Sequence, residues 1–175
     1  NLGFMWGYQY NQADLNTVTK IYSSRYETYQ SQDAGGETEL HSGFAQLDYD
    51  FLGDFNIMAG ARLDVWSASG GHDVKTSRHW KTGVLTTEKK FFDDRHQQRI
   101  SPKASITWEP NEFNEFSARY SFSRAYRFAL AQELYESTSK SQDLINVADP
   151  SIGPESGNFH NLTLAYEIPE GLVSV

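Results

Sequence analysis

Apolar and polar residues alternate along most of this chain with a period of two, the repeat of a strand with one apolar face. In the opening stretch Leu2, Phe4, Trp6, Tyr8 and Tyr10 share one side, and Gly3, Met5, Gly7 and Gln9 the other. From Gly43 to Phe51, Ala45, Leu47, Tyr49 and Phe51 oppose Gln46, Asp48 and Asp50. Leu52-Gly53-Asp54 reads as a turn, and from Phe55 to Trp66 the residues Phe55, Ile57, Ala59, Ala61, Leu63 and Val65 oppose Asn56, Gly60, Arg62 and Asp64. Closing a hairpin about Gly53 sets Tyr49 against Ile57, Leu47 against Ala59 and Ala45 against Ala61. A slip by one residue would carry aspartates to the apolar side, so the register is strongly specified.

The pattern returns twice. Ile100, Ala104, Ile106 and Trp108 face away from Arg99, Lys103, Ser105, Thr107 and Glu109. After a turn at Pro110–Asn114, Phe116, Ala118, Tyr120 and Phe122 oppose Ser117, Arg119 and Ser121. Pro102 removes a ladder donor and is expected near the loop-side end of its strand, where that costs least. A last strand sets Leu162, Leu164, Tyr166 and Ile168 against Asn161, Thr163 and Glu167, and a turn at Pro169–Gly171 leads into the start of another.

Six strands and the beginning of a seventh are thus expected. Each has roughly nine to eleven alternating residues, the length a tilted strand needs to cross a bilayer. Three connections are short, near Gly53, Pro110–Asn114 and Pro169–Gly171. Three are long, about 11–42, 67–98 and 124–159, and are read as loops. Tight turns at one end and long loops at the other are the plan of an outer-membrane barrel. Tyr49, Phe51, Phe55, Trp108, Phe113, Phe116 and Tyr166 lie close to the short turns, as an interfacial aromatic girdle would. The fold class expected is all-β, an antiparallel up-and-down meander forming part of a large transmembrane β-barrel. The alternative is a soluble antiparallel β-sandwich that binds carbohydrate through its loop aromatics.

Composition narrows the functions. The chain has 175 residues with 15 Lys plus Arg against 23 Asp plus Glu, a formal charge of −8. That balance argues against a nucleic-acid partner, which needs a basic face. The absence of cysteine excludes thiolate metal sites, disulfides and cysteine nucleophiles. No apolar run approaches the roughly 18 residues of a membrane helix, which leaves strands as the means of crossing. The chain starts at Asn1 without a charged-then-apolar leader, so an internal piece of a longer protein is expected.

One stretch breaks the alternation. After Ser123 come Arg124 and Arg127, then a segment in which Leu130 and Leu134 stand four apart, a helical spacing. "SFSRAYRFALAQELYES", followed by "NVADPSIGPESGNFHNLTLAYE", resembles the barrel region of TonB-dependent outer-membrane receptors. Arg127, Glu133, Leu134 and Tyr135 match that family's arginine–aromatic and Glu-Leu-Tyr elements. Asp149, Pro150, Ile152, Pro154 and Glu155 match its Asn-Pro-x-Leu-x-Pro-Glu element. Ala129 departs from a common Pro, Ile152 from the usual Leu, and Asn161 from a frequent Glu.

The resemblance implies residues 1–175 to be one fragment of a receptor barrel, of about six to seven strands with three long extracellular loops and without the plug domain. It implies a bacterial outer-membrane location and uptake of a scarce ligand such as a ferric siderophore. TonB would be the partner, through the missing N-terminal part, with outer-membrane lipid or lipopolysaccharide around the barrel. It implies no catalysis and no cofactor bound by this segment, the substrate being an iron chelate. Arg127, Glu133, Tyr135, Pro154 and Glu155 carry the motif, and a pair between Arg127 and Glu155 is expected. The stretch can be read as a substrate-contacting loop or as a brace at the rim.

Other chemistry is sparse. His41, His72, His79, His96 and His160 lack tight metal spacing, and no catalytic signature is present. Asp48 and Asp50 are better read as lumen charges than as a calcium or acid pair. The stretch 67–98 is locally basic, with Lys75, Arg78, Lys81, Lys89, Lys90 and Arg95 beside Trp80, Phe91 and Phe92. Arg78, His79, Trp80 and Lys81, with Arg127, are the candidate ligand contacts, a cationic and aromatic set suited to an anionic chelate. The same charges would equally suit a solvated loop or lipopolysaccharide phosphates.

Overall fold

In a computed structural model of the protein, all residues are described except 24–27, 80, 112–114, 137, 141–142, 147 and 168–175. The strands are β1 (Leu2–Ser23), β2 (Thr28–Phe51), β3 (Phe55–Arg78), β4 (Leu85–Phe91), β5 (Arg95–Trp108), β6 (Phe116–Arg127), β7 (Thr138–Lys140), β8 (Asp143–Asn146) and β9 (Glu155–Tyr166); one short helix, α1 (Ala131–Tyr135), follows β6. The main sheet runs β1-β2-β3-β5-β6-β9, with β4 paired to the distal part of β3; β7 and β8 form a separate hairpin. Every pairing is antiparallel. The expected all-β up-and-down meander is the observed fold.

The hairpin register falls where the alternation places it: Tyr49 opposite Ile57, Leu47 opposite Ala59, Ala45 opposite Ala61. Its turn carries positive φ at both Leu52 (55°) and Gly53 (77°). The neighbouring short turn is tied to this one, because Glu109 N–H donates to the Asp54 carbonyl at 2.8 Å. The turn at Pro169–Gly171, the strand after it, Phe113 and Ile168 lie outside the described residues.

The long connections are corrected by the structure. β1 runs through to Ser23 and pairs with Thr28, so most of 11–42 is ladder. Most of 67–98 is likewise the upper β3–β4 hairpin and the start of β5, and 124–159 holds the end of β6, α1, β7, β8 and the start of β9. The first three strands have 22, 24 and 24 residues, well beyond the nine to eleven expected. The reason is physical. Toward the distal tips both faces meet polar surroundings, so period two fades while Thr17, Val18, Thr19, Val74 and Thr76 keep a strong strand preference.

The apolar side of the sheet is bare. Leu47, Ile57, Ile106 and Leu164 are 49, 38, 39 and 64 % exposed, where a sandwich would seal them under a second sheet. The ten steps from Phe55 to Val65 span about 33 Å along the strand, or about 25 Å along the normal of a membrane at a tilt near 40°, the height of an outer-membrane apolar band. Rings mark both margins. At the short-turn end Tyr49, Phe51, Phe55 and Trp108 form a row with centroids 6.3, 5.2 and 6.4 Å apart, and Phe116 meets Trp108 edge-on at 5.8 Å. At the other end the Tyr8 hydroxyl lies 2.6 Å from His41 Nδ1 and the Tyr120 hydroxyl 2.8 Å from His160 Nδ1. Beyond them the same face turns polar with Gln12, Glu37 and Glu39.

Candidate functional site

The polar side of the sheet has two storeys. At mid-height Arg62 donates to the Asp64 carboxylate at 2.7 Å, to Ser42 Oγ at 2.8 Å and to Gln9 Oε1 at 3.1 Å, while Ser42 donates to Asp64 at 2.6 Å. Asp64 and Ser42 are buried, and their mutual hydrogen bonds offset the desolvation of the ion pair. The sequence placed Arg62 and Asp64 on one face. It did not show that Ser42 and Gln9 close the network, which depends on the pairing of three strands.

Above this the alternation continues through Trp66 and Ala68, and here the polar side becomes apolar. Residues 128–135 fold back over it. Trp66, Ala68, Ala129, Ala131, Leu134 and Tyr135 form the buried cluster, with Leu15, Leu40, Phe92, Phe128 and Ile152 packed around it. Trp66 stacks on Phe128 at 5.8 Å and Phe92 on Tyr135 at 5.4 Å. The helical turn expected from the Leu130–Leu134 spacing forms at Ala131–Tyr135.

Tyr135 enters a notch made by two glycine pairs. A Cβ on Gly36 would lie 2.4 Å from its ring and one on Gly71 2.3 Å. Only strands without side chains at those points admit an aromatic ring so close to the backbone. Burial pushes the Tyr135 phenol pKa up, and its hydroxyl has no partner among the described residues. The signal in the sequence was the repeated Gly-Gly at 35–36 and 70–71. Its meaning emerges only from the β2–β3 register, which sets Gly35 opposite His72.

The segment is clasped at its root. Arg127 bonds Glu133 and reaches Glu155, its cross-strand partner, at 3.5 Å. Glu133 also accepts the Leu130 N–H at 2.9 Å, capping α1. That backbone bond first, then Arg127, holds the Glu133 carboxyl below its usual pKa, and the Glu133 hydrogen bond raises that of Arg127. Further along, Asp149 N–H donates to the Glu133 carbonyl at 3.0 Å. Asp149 accepts the Ser151 hydroxyl at 2.6 Å and its N–H at 2.8 Å, which lowers the Asp149 pKa. Arg95 binds the carbonyls of Pro150 and Ile152, the latter at 2.9 Å, and lies over Trp66 at 5.7 Å. Pro154 directly precedes Glu155 at the start of β9.

The motif residues Arg127, Glu133, Tyr135 and Glu155 therefore gather in one brace, joined by Trp66 and by Arg95 and Phe92, which the sequence had placed in the basic stretch 67–98 rather than here. The other candidates lie elsewhere. Arg78 ends β3, and His79 closes the hairpin tip, where its Nδ1 lies 3.2 Å from Thr82 Oγ1 and its N–H donates to the Val84 carbonyl at 2.9 Å. Lys81 is exposed at the same tip, and Trp80 lies outside the described residues. Lys90 covers Phe92 at 5.0 Å.

Comparison with known proteins agrees with this architecture. A family model described as TonB dependent receptor-like, beta-barrel, matches residues 1–174. No curated protein matches the chain.

Proposed function

Because the chain belongs to the TonB-dependent receptor-like β-barrel family, we propose that it forms part of the wall of an outer-membrane receptor that imports a scarce ligand such as a ferric siderophore. The observation that carries this reading is the bare apolar belt of about 25 Å bounded by aromatic rows, a surface matched to hydrocarbon. TonB would supply the energy through a part of the receptor other than this wall. The reading is one of transport, not of catalysis, and iron enters it as cargo.

Two regions divide the work. The brace around Arg127 and Tyr135 holds a folded segment against the inner face, where it narrows the passage. The tip of the β3–β4 hairpin offers Arg78, His79 and Lys81 as the first cationic contacts for an anionic chelate. Arg127, with two carboxylate neighbours, contributes to ligand contact chiefly by fixing the rim.

The test takes the whole receptor. Deleting its gene should abolish growth on one ferric chelate as sole iron source, and Arg78→Ala with Lys81→Ala should weaken binding of that chelate. The receptor should also require detergent and migrate differently on a gel before and after boiling. Growth unchanged on every chelate would remove the siderophore reading, and a receptor soluble without detergent would remove the barrel.

A further inference from the structure

β3 changes partner part-way up. Ala68, opposite Arg95, is the last of its residues paired with β5, and His72, opposite Phe91, is the first paired with β4. Between these points the β2–β3 register shifts, so that Gly36 stands against both Gly70 and Gly71. Two residues against one is a bulge, the place where a strand bends. Gly70 has a φ of 64°, and nothing lies within 4 Å of where a Cβ on it would stand. Beyond the bulge the distal parts of β1, β2 and β3, with β4, form a four-stranded arm. The link from β4 back to β5 is bonded to the bulge itself: Phe92 N–H donates to the Gly71 carbonyl at 2.9 Å, and Gly70 N–H to the Asp94 carboxylate at 3.4 Å.

Two rings occupy the break from opposite sides. Tyr135 fills it on the inner face, in the space that side chains on Gly36 and Gly71 would take. Gly35 is the next residue along β2 and so faces outward. There the His72 ring covers it, 2.5 Å from where its Cβ would stand. His72 Nδ1 lies 3.1 Å from the Gly70 carbonyl and Nε2 3.7 Å from the Asp33 carboxylate. The four glycines therefore do more than admit one tyrosine. They leave β2 and β3 without side chains along a line across the sheet, where backbone is easily bent.

We propose that the glycine bulge at Gly36 and Gly70–Gly71 is a hinge on which the distal four-stranded arm pivots, and that Tyr135 is the pin that sets its angle. With the ring seated, the bulge cannot close on the inner side and the arm stands upright. With the ring withdrawn, that side is empty and the arm tilts toward it, carrying Arg78 and Lys81 inward. Tyr135 is thus a positioning residue that acts through the arm. The device follows from the strand register and does not depend on which cargo the receptor imports.

The experiment measures distances between spin labels by pulsed electron spin resonance on the whole receptor in detergent. The labels sit on cysteines introduced in pairs, since this chain has none of its own. Thr86→Cys with Ile100→Cys spans the hinge, Thr86→Cys with Lys20→Cys lies within the arm, and Leu47→Cys with Ile100→Cys lies within the wall; all four side chains are exposed. With Tyr135 present, the spanning pair should give one distance, any second population staying below about a tenth. Tyr135→Ala should raise that second population several-fold while both internal distances keep their widths. Tyr135→Leu, apolar but without a ring, should do the same to a smaller extent, and Tyr135→Phe should match the unsubstituted protein. A spanning distance left unmoved by both Tyr135→Ala and Tyr135→Leu overturns the pin. A within-arm distance that broadens together with the spanning one shows an arm that frays instead of pivoting, and a within-wall distance that broadens shows a sheet loosened throughout; either result overturns the hinge.

Discussion

Tyr135 occupies the space that a side chain on Gly71 would need: a Cβ there would sit 2.3 Å from the tyrosine ring. The contact joins a residue of the helical segment to the middle of a strand. It fixes the depth to which residues 128–135 seat on the inner wall.

Gly71→Ala should therefore unseat this segment without unfolding the sheet. A loss of about 1–3 kcal/mol is expected for overpacking of this kind, read as faster amide exchange confined to residues 128–135. The same substitution in a Tyr135→Ala background should cost much less, because the clashing ring is gone. Tyr135→Phe should be neutral or stabilising, since it removes a buried hydroxyl without a partner. If Gly71→Ala slowed or left exchange unchanged, the notch would have no seating role.

Leu52 has a φ of 55° in the first hairpin turn, a left-handed conformation that Asn tolerates better than Leu. Leu52→Asn should stabilise the hairpin by about 1 kcal/mol, seen as a higher denaturant midpoint with an unchanged slope. Leu52 is also 82 % exposed, so no packing is lost. A lower midpoint would mean that the leucine side chain makes a contact with lipid that outweighs the strain.

Acid should loosen the brace. The folded-state pKa values of Glu133 and Asp149 are depressed, so their contribution to stability is fully present above the ordinary carboxylate pKa. It is lost as pH falls through that value toward the depressed ones. Exchange in residues 128–135 should rise below about pH 4. Glu133→Gln should raise exchange at neutral pH and flatten most of the acid dependence. An unaltered acid profile in that variant would show that the ion pair with Arg127 does not hold the segment.

Much of this fold was legible because one side of each strand is uniformly apolar. Ala45, Leu47 and Tyr49 had one register that kept aspartates off that side, and the structure has it. The distal hairpins were not legible, since Thr17 to Ile21 and Val74 to Ser77 stand beyond the belt, where neither face is selected for oil. The arginine–glutamate brace was visible as a family motif. Its seat was not, because Trp66, Gly71 and Arg95 come from strands, and Phe92 from the link between two of them, that only the strand pairing brings together.

The belt itself admits a depth test. Ala61 lies on the bare face near its middle, opposite Ala45 on one side and Pro102 on the other. Ser67 lies on the same face of β3, past Val65 and opposite Glu39. Ala61→Arg should destabilise the receptor refolded in lipid vesicles by about 2–4 kcal/mol, while Ser67→Arg should cost about 0–1 kcal/mol, because the penalty for a cation falls from the midplane to the interface. The measurement is the shift in denaturant midpoint for each variant in the same vesicles. In detergent micelles, which deform around a charge, the gap should narrow. Equal costs at the two positions would mean that the face from Phe55 to Val65 does not meet hydrocarbon, and the transport reading would lose the surface it rests on.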